Sequence, residues 1–187
     1  MVTIRRARPA DADAMGRVHV SSWRSTYAGI LSDTYLAGLS ELREGLGYER
    51  GLRARRGGHA GFVAIADGIE LPGGGIIGFV TGGMSRRPVI AGGEVETLYI
   101  ADDFRERGIG RRLMRAMASH LTSLEAQSAF TWVLEDNPSR WFYQRLGGKP
   151  AVRENITFAG QPMTQIAYAW APIHTLLSAT ATAKSPR

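Results

Sequence analysis

Two β runs enclose an amphipathic helix between residues 93 and 134, and this succession constrains the fold more than any other feature of the chain. Over residues 110–125, Leu113, Met114, Met117, Leu121 and Leu124 recur at helical spacing, while Arg111, Arg112, Arg115, Thr122 and Ser123 take the other side. The runs before and after it, 93–100 and 129–134, are rich in β-branched and aromatic residues and too short for helices. Strand, helix and strand in immediate succession predict a right-handed crossover between two parallel strands. Such a unit needs the rest of a sheet to lie on.

The remainder of the chain supplies one. Residues 2–8 alternate as a strand and stop at Pro9, and residues 10–27 read as a helix with Ala14, Met15, Val18 and Trp23 roughly on one side. The stretch 33–54 is helical in character but carries Gly38, Gly45, Gly47 and Gly51, which predicts short broken helices. Two β runs, 61–66 and 76–81, are separated by Asp67-Gly68 and Pro72-Gly73-Gly74-Gly75, the pattern of antiparallel strands joined by a loop. Asn137-Pro138 offers an N-cap with proline at the first helical position, and Gly147-Gly148 offers a left-handed end for that short helix. Two last strands, 151–158 and 163–170, are joined across residues 159–162. The expectation is therefore a single mixed α/β domain over residues 1–172, with six or seven mostly antiparallel strands and about four helices, and a loose tail over 173–187.

Composition narrows the chemistry. A chain of 187 residues with 44% hydrophobic and 21% charged content has the makeup of one ordinary globular domain. It contains no cysteine, which excludes disulfides, thiolate zinc sites and a cysteine nucleophile. His19, His59, His120 and His174 show no metal-ligand spacing, so no metal is expected. No apolar run approaches the ~20 residues of a membrane span, and a cytoplasmic protein without a membrane partner is the expectation. The net charge of +6 suits a polyphosphate, an anionic lipid or a nucleic acid equally. The arginine pairs Arg5-Arg6, Arg55-Arg56, Arg86-Arg87 and Arg111-Arg112 lack the interleaved aromatic residues of a base-stacking surface, so nucleic acid is not the expected partner.

One motif sits where an anion would bind. Arg105-Glu106-Arg107-Gly108-Ile109-Gly110 lies at the junction of the 93–100 strand and its crossover helix. A helix N-terminus presents unpaired N–H groups and a partial positive charge, and glycines admit a bulky anion close to the backbone. A pyrophosphate fits such a place; a plain glycine turn into the helix is the alternative. A dinucleotide fingerprint fails because Leu113 stands where a third small residue is required, and a P-loop fails because Gly148-Lys149 is followed by Pro150.

The R-x-x-G-x-G turn after a strand, together with Asn137-Pro138-Ser139-Arg140-Trp141-Phe142-Tyr143-Gln144-Arg145-Leu146-Gly147, resembles the GNAT superfamily of N-acetyltransferases over about residues 2–170. It departs from the family pattern at Arg140, where a small residue is usual. The resemblance implies a GNAT-like domain that takes acetyl-CoA as co-substrate and needs no metal. Backbone amides of Arg105, Glu106, Arg107, Gly108, Ile109, Gly110 and Arg111 would hold the CoA pyrophosphate, and Leu98, Tyr99 and Ile100 would pair with the pantetheine arm. The thioester would lie where the fourth and fifth strands splay, beside a bulge whose N–H serves as an oxyanion donor.

The same resemblance makes Tyr143 the proton donor to the departing thiolate, a role that a phenol with a reference pKa near 10 can fill at neutral pH. Packing of Trp141-Phe142-Tyr143 onto the sheet is the alternative. Asn137 would add a cofactor contact to its capping role. By period two, Glu94 and Glu96 share a strand face that Leu98 and Ile100 continue, and the resemblance implies Glu94 as the base with Glu96 as substitute. Both could instead pair with arginines at an exposed strand end. Trp23 and Tyr27 lie four residues apart on one helix face and would line the amine pocket or the core, whereas His19 reads as a packed histidine.

The activity implied is direct acetyl transfer to a primary amine in a ternary complex. A polyamine is the first expectation, with a protein N-terminus or lysine next and a homodimer as an assembly that relatives form. A non-catalytic acyl-CoA sensor or basic RNA-binding module is the competing reading.

Overall fold

Strands β1 (Val2–Arg6), β2 (Ala60–Ala66), β3 (Ile76–Met84), β4 (Gly93–Ile100), β5 (Ala129–Leu134), β6 (Lys149–Phe158) and β7 (Gln161–Trp170) form, in the computed structural model, one sheet of order β1-β2-β3-β4-β5-β7-β6. The structure describes residues 1–68 and 75–181, so Pro72-Gly73-Gly74 of the predicted turn and the last six residues of the tail lie outside it. β4 and β5 run parallel, and every other neighbouring pair is antiparallel. The helices are α1 (Ala12–Thr26), α2 (Asp33–Ala37), α3 (Glu41–Ala54), α4 (Ile109–Ser123), α5 (Arg140–Arg145) and α6 (His174–Thr180).

α4 covers one face of the sheet. Leu113, Met114, Met117 and Leu121, the residues at helical spacing, are all 0% exposed and join Val80, Val95 and Ala129 in one cluster. Each such burial contributes roughly 1.5–3 kcal/mol, which fixes the crossover helix firmly onto β3 and β4. The opposite face is covered by α1 and α3, where Met15 and Val18 meet Val63 and Phe79.

Six helices rather than about four reflect two departures from expectation. The 33–54 stretch breaks once, at Gly38, and Ser40 then caps α3 by accepting a hydrogen bond from Arg43 N at 3.3 Å. Gly45 and Gly51 do not break α3. They admit neighbours: a Cβ on Gly45 would lie 3.2 Å from Ala12 O of α1, and one on Gly51 would lie 3.0 Å from the His59 ring. The second departure is at the end of the chain. Residues 174–180, expected to be loose, form α6, because Ile173 and Leu176 bury against the α4 side of the core and Arg115 Nη1 donates to Leu177 O at 3.0 Å.

α5 begins three residues after the expected cap. Asn137 Oδ1 accepts from Ser139 N at 2.8 Å and opens a turn, and the helix proper starts at Arg140. Its end is as expected: Gly147 has φ +80°, with Gly147 N bonded to Gln144 O at 2.9 Å and Gly148 N to Tyr143 O at 3.0 Å. Two left-handed residues, Ala159 and Gly160, turn β6 tightly into β7.

Candidate active site

Three local features of the chain meet to build a cleft. The first is the end of β-pairing between β4 and β5, which is limited to Gly93↔Ala129 and Glu94↔Phe130. Past those residues the strands diverge, and the facing edges of Glu96–Ile100 and Thr131–Leu134 border an opening of about 650 Å³.

The second feature is a bulge. Thr81 pairs with Thr97 but Gly82 pairs with Val95, so Glu96 is an extra residue on β4. One inserted residue inverts the alternation beyond it. Gly83, opposite Glu94, faces the His59 backbone, whereas Leu98 and Ile100 pack on the α4 side and Tyr99 packs on the α1–α3 side. The predicted shared face of Glu94, Glu96, Leu98 and Ile100 is thereby corrected: Thr97 and Tyr99 continue the side that the glutamates occupy.

The third feature is the turn into α4. Gly108 is its N-cap with φ +74°, and Glu106 also takes a positive φ of 60°. The first helical bond runs from Arg112 N to Gly108 O at 3.2 Å, which leaves the N–H groups of Ile109, Gly110 and Arg111 outside the helical ladder. Gly110 has to be small, since a Cβ there would lie 3.1 Å from Ile100 Cδ1 and 3.2 Å from Phe142 Cζ. Arg105 pins the turn to the end of α1, donating to Thr26 Oγ1 at 2.9 Å and pairing with Asp102 at 2.8 Å. Arg107 does not line the cleft; its guanidinium lies over the Phe104 ring at 5.3 Å. Arg111 lines the cleft, while its guanidinium donates to the Ala181 carbonyl.

Tyr143 enters the same cleft from α5 and is 7% exposed. Burial pushes its phenol well above the usual range, and neighbouring Tyr27 adds to the shift. Rings of Phe142 at 5.3 Å and Trp170 at 6.3 Å hold it in place. Asn137 also lines the cleft, but its side chain is committed within the protein: Nδ2 donates to Tyr27 Oη at 2.7 Å and Oδ1 accepts from Ser139 N.

The structure separates the two glutamates. Glu96 lines the cleft with Oε2 3.1 Å from His59 Nε2 and Oε1 3.9 Å from Arg86. Partial burial pulls its carboxyl upward, but the His59 hydrogen bond and the charges of His59 and Arg86 outweigh burial and hold it below the usual range. Glu94 is buried behind Arg86, which donates to it at 3.2 and 3.4 Å, and it is not part of the cleft wall. Sequence named His59 only as a histidine without metal-ligand spacing and Arg86 only as one of an arginine pair, and no spacing joins them to this site: His59 precedes Glu96 by 37 residues and meets it only across the sheet.

Trp23 and Tyr27 form the far wall, their ring centroids 4.8 Å apart, and Phe158 from the β6–β7 hairpin lies 5.7 Å from Trp23. Phe158 was another residue that sequence reading passed over, although the Ala159-Gly160 turn marks its place at a hairpin tip. His19 is a packed histidine behind this wall. Its ring stacks on Tyr99 at 4.6 Å, Nδ1 lies 2.9 Å from Tyr48 Oη, and burial pushes its pKa down to about 4.

Known proteins resemble this chain in sequence and in fold. Residues 74–156, which include β4, the turn, α4, β5 and α5, match the family model described as FR47-like protein. The chain is 30% identical over 178 residues to an uncharacterised N-acetyltransferase, YuaI, of Bacillus subtilis (strain 168), covering 94% of this chain and 96% of that one. Among solved structures it resembles the PaiA N-acetyltransferase of Thermoplasma acidophilum in complex with coenzyme A, with a TM-score of 0.64, 18% identity, and 89% and 98% of the two chains covered. It also resembles YncA, a putative acetyltransferase of Salmonella typhimurium solved with acetyl-CoA, with a TM-score of 0.67, 16% identity, and 100% and 98% covered. With a splayed β4–β5 pair, a glycine turn into α4, and a relative of this identity along almost its whole length, the chain belongs to the GNAT superfamily of N-acetyltransferases.

Proposed function

We propose that this protein transfers the acetyl group of acetyl-CoA to a small primary amine by direct attack in a ternary complex. The observation that carries the reading is the continuity of one cleft from the N-terminus of α4, along the open edges of β4 and β5, to Tyr143 and Glu96. The residues present fit the co-substrate. The free N–H groups of Ile109, Gly110 and Arg111 at the start of α4 and the left-handed Gly108 suit a pyrophosphate, whereas the expected Arg105 amide is already bonded to Asp102 O at 3.1 Å. The edge of β4 at Leu98, Tyr99 and Ile100, released from β5, suits an amide-bearing pantetheine arm as an added strand. Bound there, acetyl-CoA supplies an activated acetyl thioester.

The protein's own groups divide the remaining work. Tyr143 Oη holds its proton throughout neutral pH, because burial raises its pKa, and it stands ready to donate to a departing thiolate. Glu96 stays ionised at the bulge and can accept the proton that the amine sheds, directly or through water. Glu94 serves a different purpose: it holds Arg86, whose charge helps keep Glu96 ionised. The absence of cysteine removes one route to a covalent acyl-enzyme and agrees with direct transfer.

The test is CoA release followed with a panel of primary amines. Release should depend on the amine, and Tyr143→Phe should lower kcat by roughly 10²–10⁴-fold with acetyl-CoA affinity unchanged. A fall of less than about tenfold rejects the proton-donor role, and release that ignores the amine rejects acetyl transfer.

A further inference from the structure

We infer that the acceptor is an arylalkylamine, a primary amine on a short chain that ends in an aromatic ring, and not a polyamine. This rests on the acetyl-transfer reading and follows from what the acceptor end of the cleft exposes.

That end is walled by Trp23, Tyr27, Leu134, Ile156, Phe158 and Gln165. Three of these carry polar atoms, and Gln165 spends its Nε2 on Glu154 Oε2 at 3.2 Å. Trp23 Nε1 is fully buried, and Tyr27 Oη is engaged by Asn137 Nδ2 at 2.7 Å in a buried bond. What both residues present is ring carbon. The rings also form a set: Trp23 lies 4.8 Å from Tyr27 and 5.7 Å from Phe158, and Phe158 meets Tyr35 edge-on at 5.6 Å. Faces and edges so arranged favour a further aromatic ring over a plain alkyl chain of similar area.

The same contacts close the end. Phe158 sits at the tip of the β6–β7 hairpin and packs on α1 and α2, so the hairpin roofs the acceptor end against an extended peptide.

Charge argues against a polyamine. Among the described residues, the carboxylates that line the cleft are Glu96 at the bulge and Glu106 in the α4 turn. Nearby acids just after β5 and on β6 are already paired, Glu135 with Arg153 at 2.7 Å and Glu154 with Arg87 at 2.6 Å. Beyond Glu96 and Glu106, the distal ammonium groups of a polyamine would meet no carboxylate on the cleft wall, in a chain of net charge +6. A single amine directed at Glu96, with an uncharged ring behind it, meets the site as built.

The experiment compares phenethylamine, hexylamine, spermidine and a peptide with a free N-terminus, each with acetyl-CoA, and measures kcat/KM. Phenethylamine should exceed hexylamine and spermidine by about tenfold or more, the scale at which an apolar pocket discriminates. Phe158→Leu keeps the wall apolar without its ring. It should raise KM for phenethylamine by about tenfold more than KM for hexylamine and leave acetyl-CoA affinity unchanged. Equal rates for hexylamine and phenethylamine, or an unaltered phenethylamine KM in Phe158→Leu, overturn the preference for a ring. Faster acetylation of spermidine or the peptide overturns this inference while acetyl transfer stands. Failure of acetyl-CoA to bind or donate overturns both.

Discussion

His19 shows how a single buried side chain gives this protein a pH response separate from catalysis. Its ring is 8% exposed, stacked on Tyr99 and bonded to Tyr48, and burial lowers its pKa from 6.5 to about 4 despite Glu44 Oε2 at 3.3 Å. Between those values the unfolded chain binds a proton that the folded chain refuses. Stability therefore rises with pH across this window, and the contribution present above 6.5 is lost as pH falls toward 4. The full loss amounts to about 3 kcal/mol. Urea midpoints measured at pH 7 and pH 4.5 should separate further in the wild type than in His19→Phe; equal separations would remove His19 from the account.

At the same scale, sequence placed Tyr143, Trp23 and Tyr27, and the structure brings all three to one cleft. Sequence put Glu94 ahead of Glu96 as the base, whereas Glu96 and not Glu94 lies on the cleft wall. A strand's own alternation reads the same whether or not its partner slips by one residue. The bulge that places Glu96 in the cleft and Glu94 behind Arg86 is visible only in the pairing of β4 with β3.

Among the elements, β4 and β5 matched the predicted limits of 93–100 and 129–134, because a buried strand beside a crossover helix is defined by its own apolar run. The glycines of α3 misled for a physical reason. Glycine breaks an isolated helix through backbone freedom, but at the α1–α3 crossing the lack of a side chain is what permits contact, and packing outweighs propensity. α6 escaped notice because seven Ala/Thr/Ser-rich residues carry too little periodicity to signal a helix.

The element on which the proposed donor binding depends is the turn into α4. Gly108 has open space around it but a φ of +74°, so Gly108→Val costs about 1–2 kcal/mol in backbone strain without a steric clash. If the free N–H groups there cradle a pyrophosphate, that substitution should weaken acetyl-CoA binding by about tenfold in a calorimetric titration. Gly68→Val, equally strained at φ +76° in open space on the β2–β3 turn, serves as the control and should leave affinity unchanged. Equal affinities in the two variants would move the pyrophosphate away from α4.

For the molecule as a whole, the proposed function rests on a sheet that opens by failing to pair. Two ladder positions join β4 to β5, and past them the same strands that anchor α4 on one face and α1 on the other leave their edges to a ligand. In the proposed function the donor enters over the α4 turn, the acceptor lies beside the β6–β7 hairpin, and Tyr143 and Glu96 stand between them. Direct transfer across that junction is the central claim. A single-turnover quench with acetyl-CoA and amine, read by mass spectrometry of amine, CoA and intact protein, tests it most directly. The account predicts that acetylated amine and free CoA appear together, one for one, with the protein mass unchanged throughout; an acetylated protein that forms ahead of the amide, or CoA released at the same rate without amine, would contradict it.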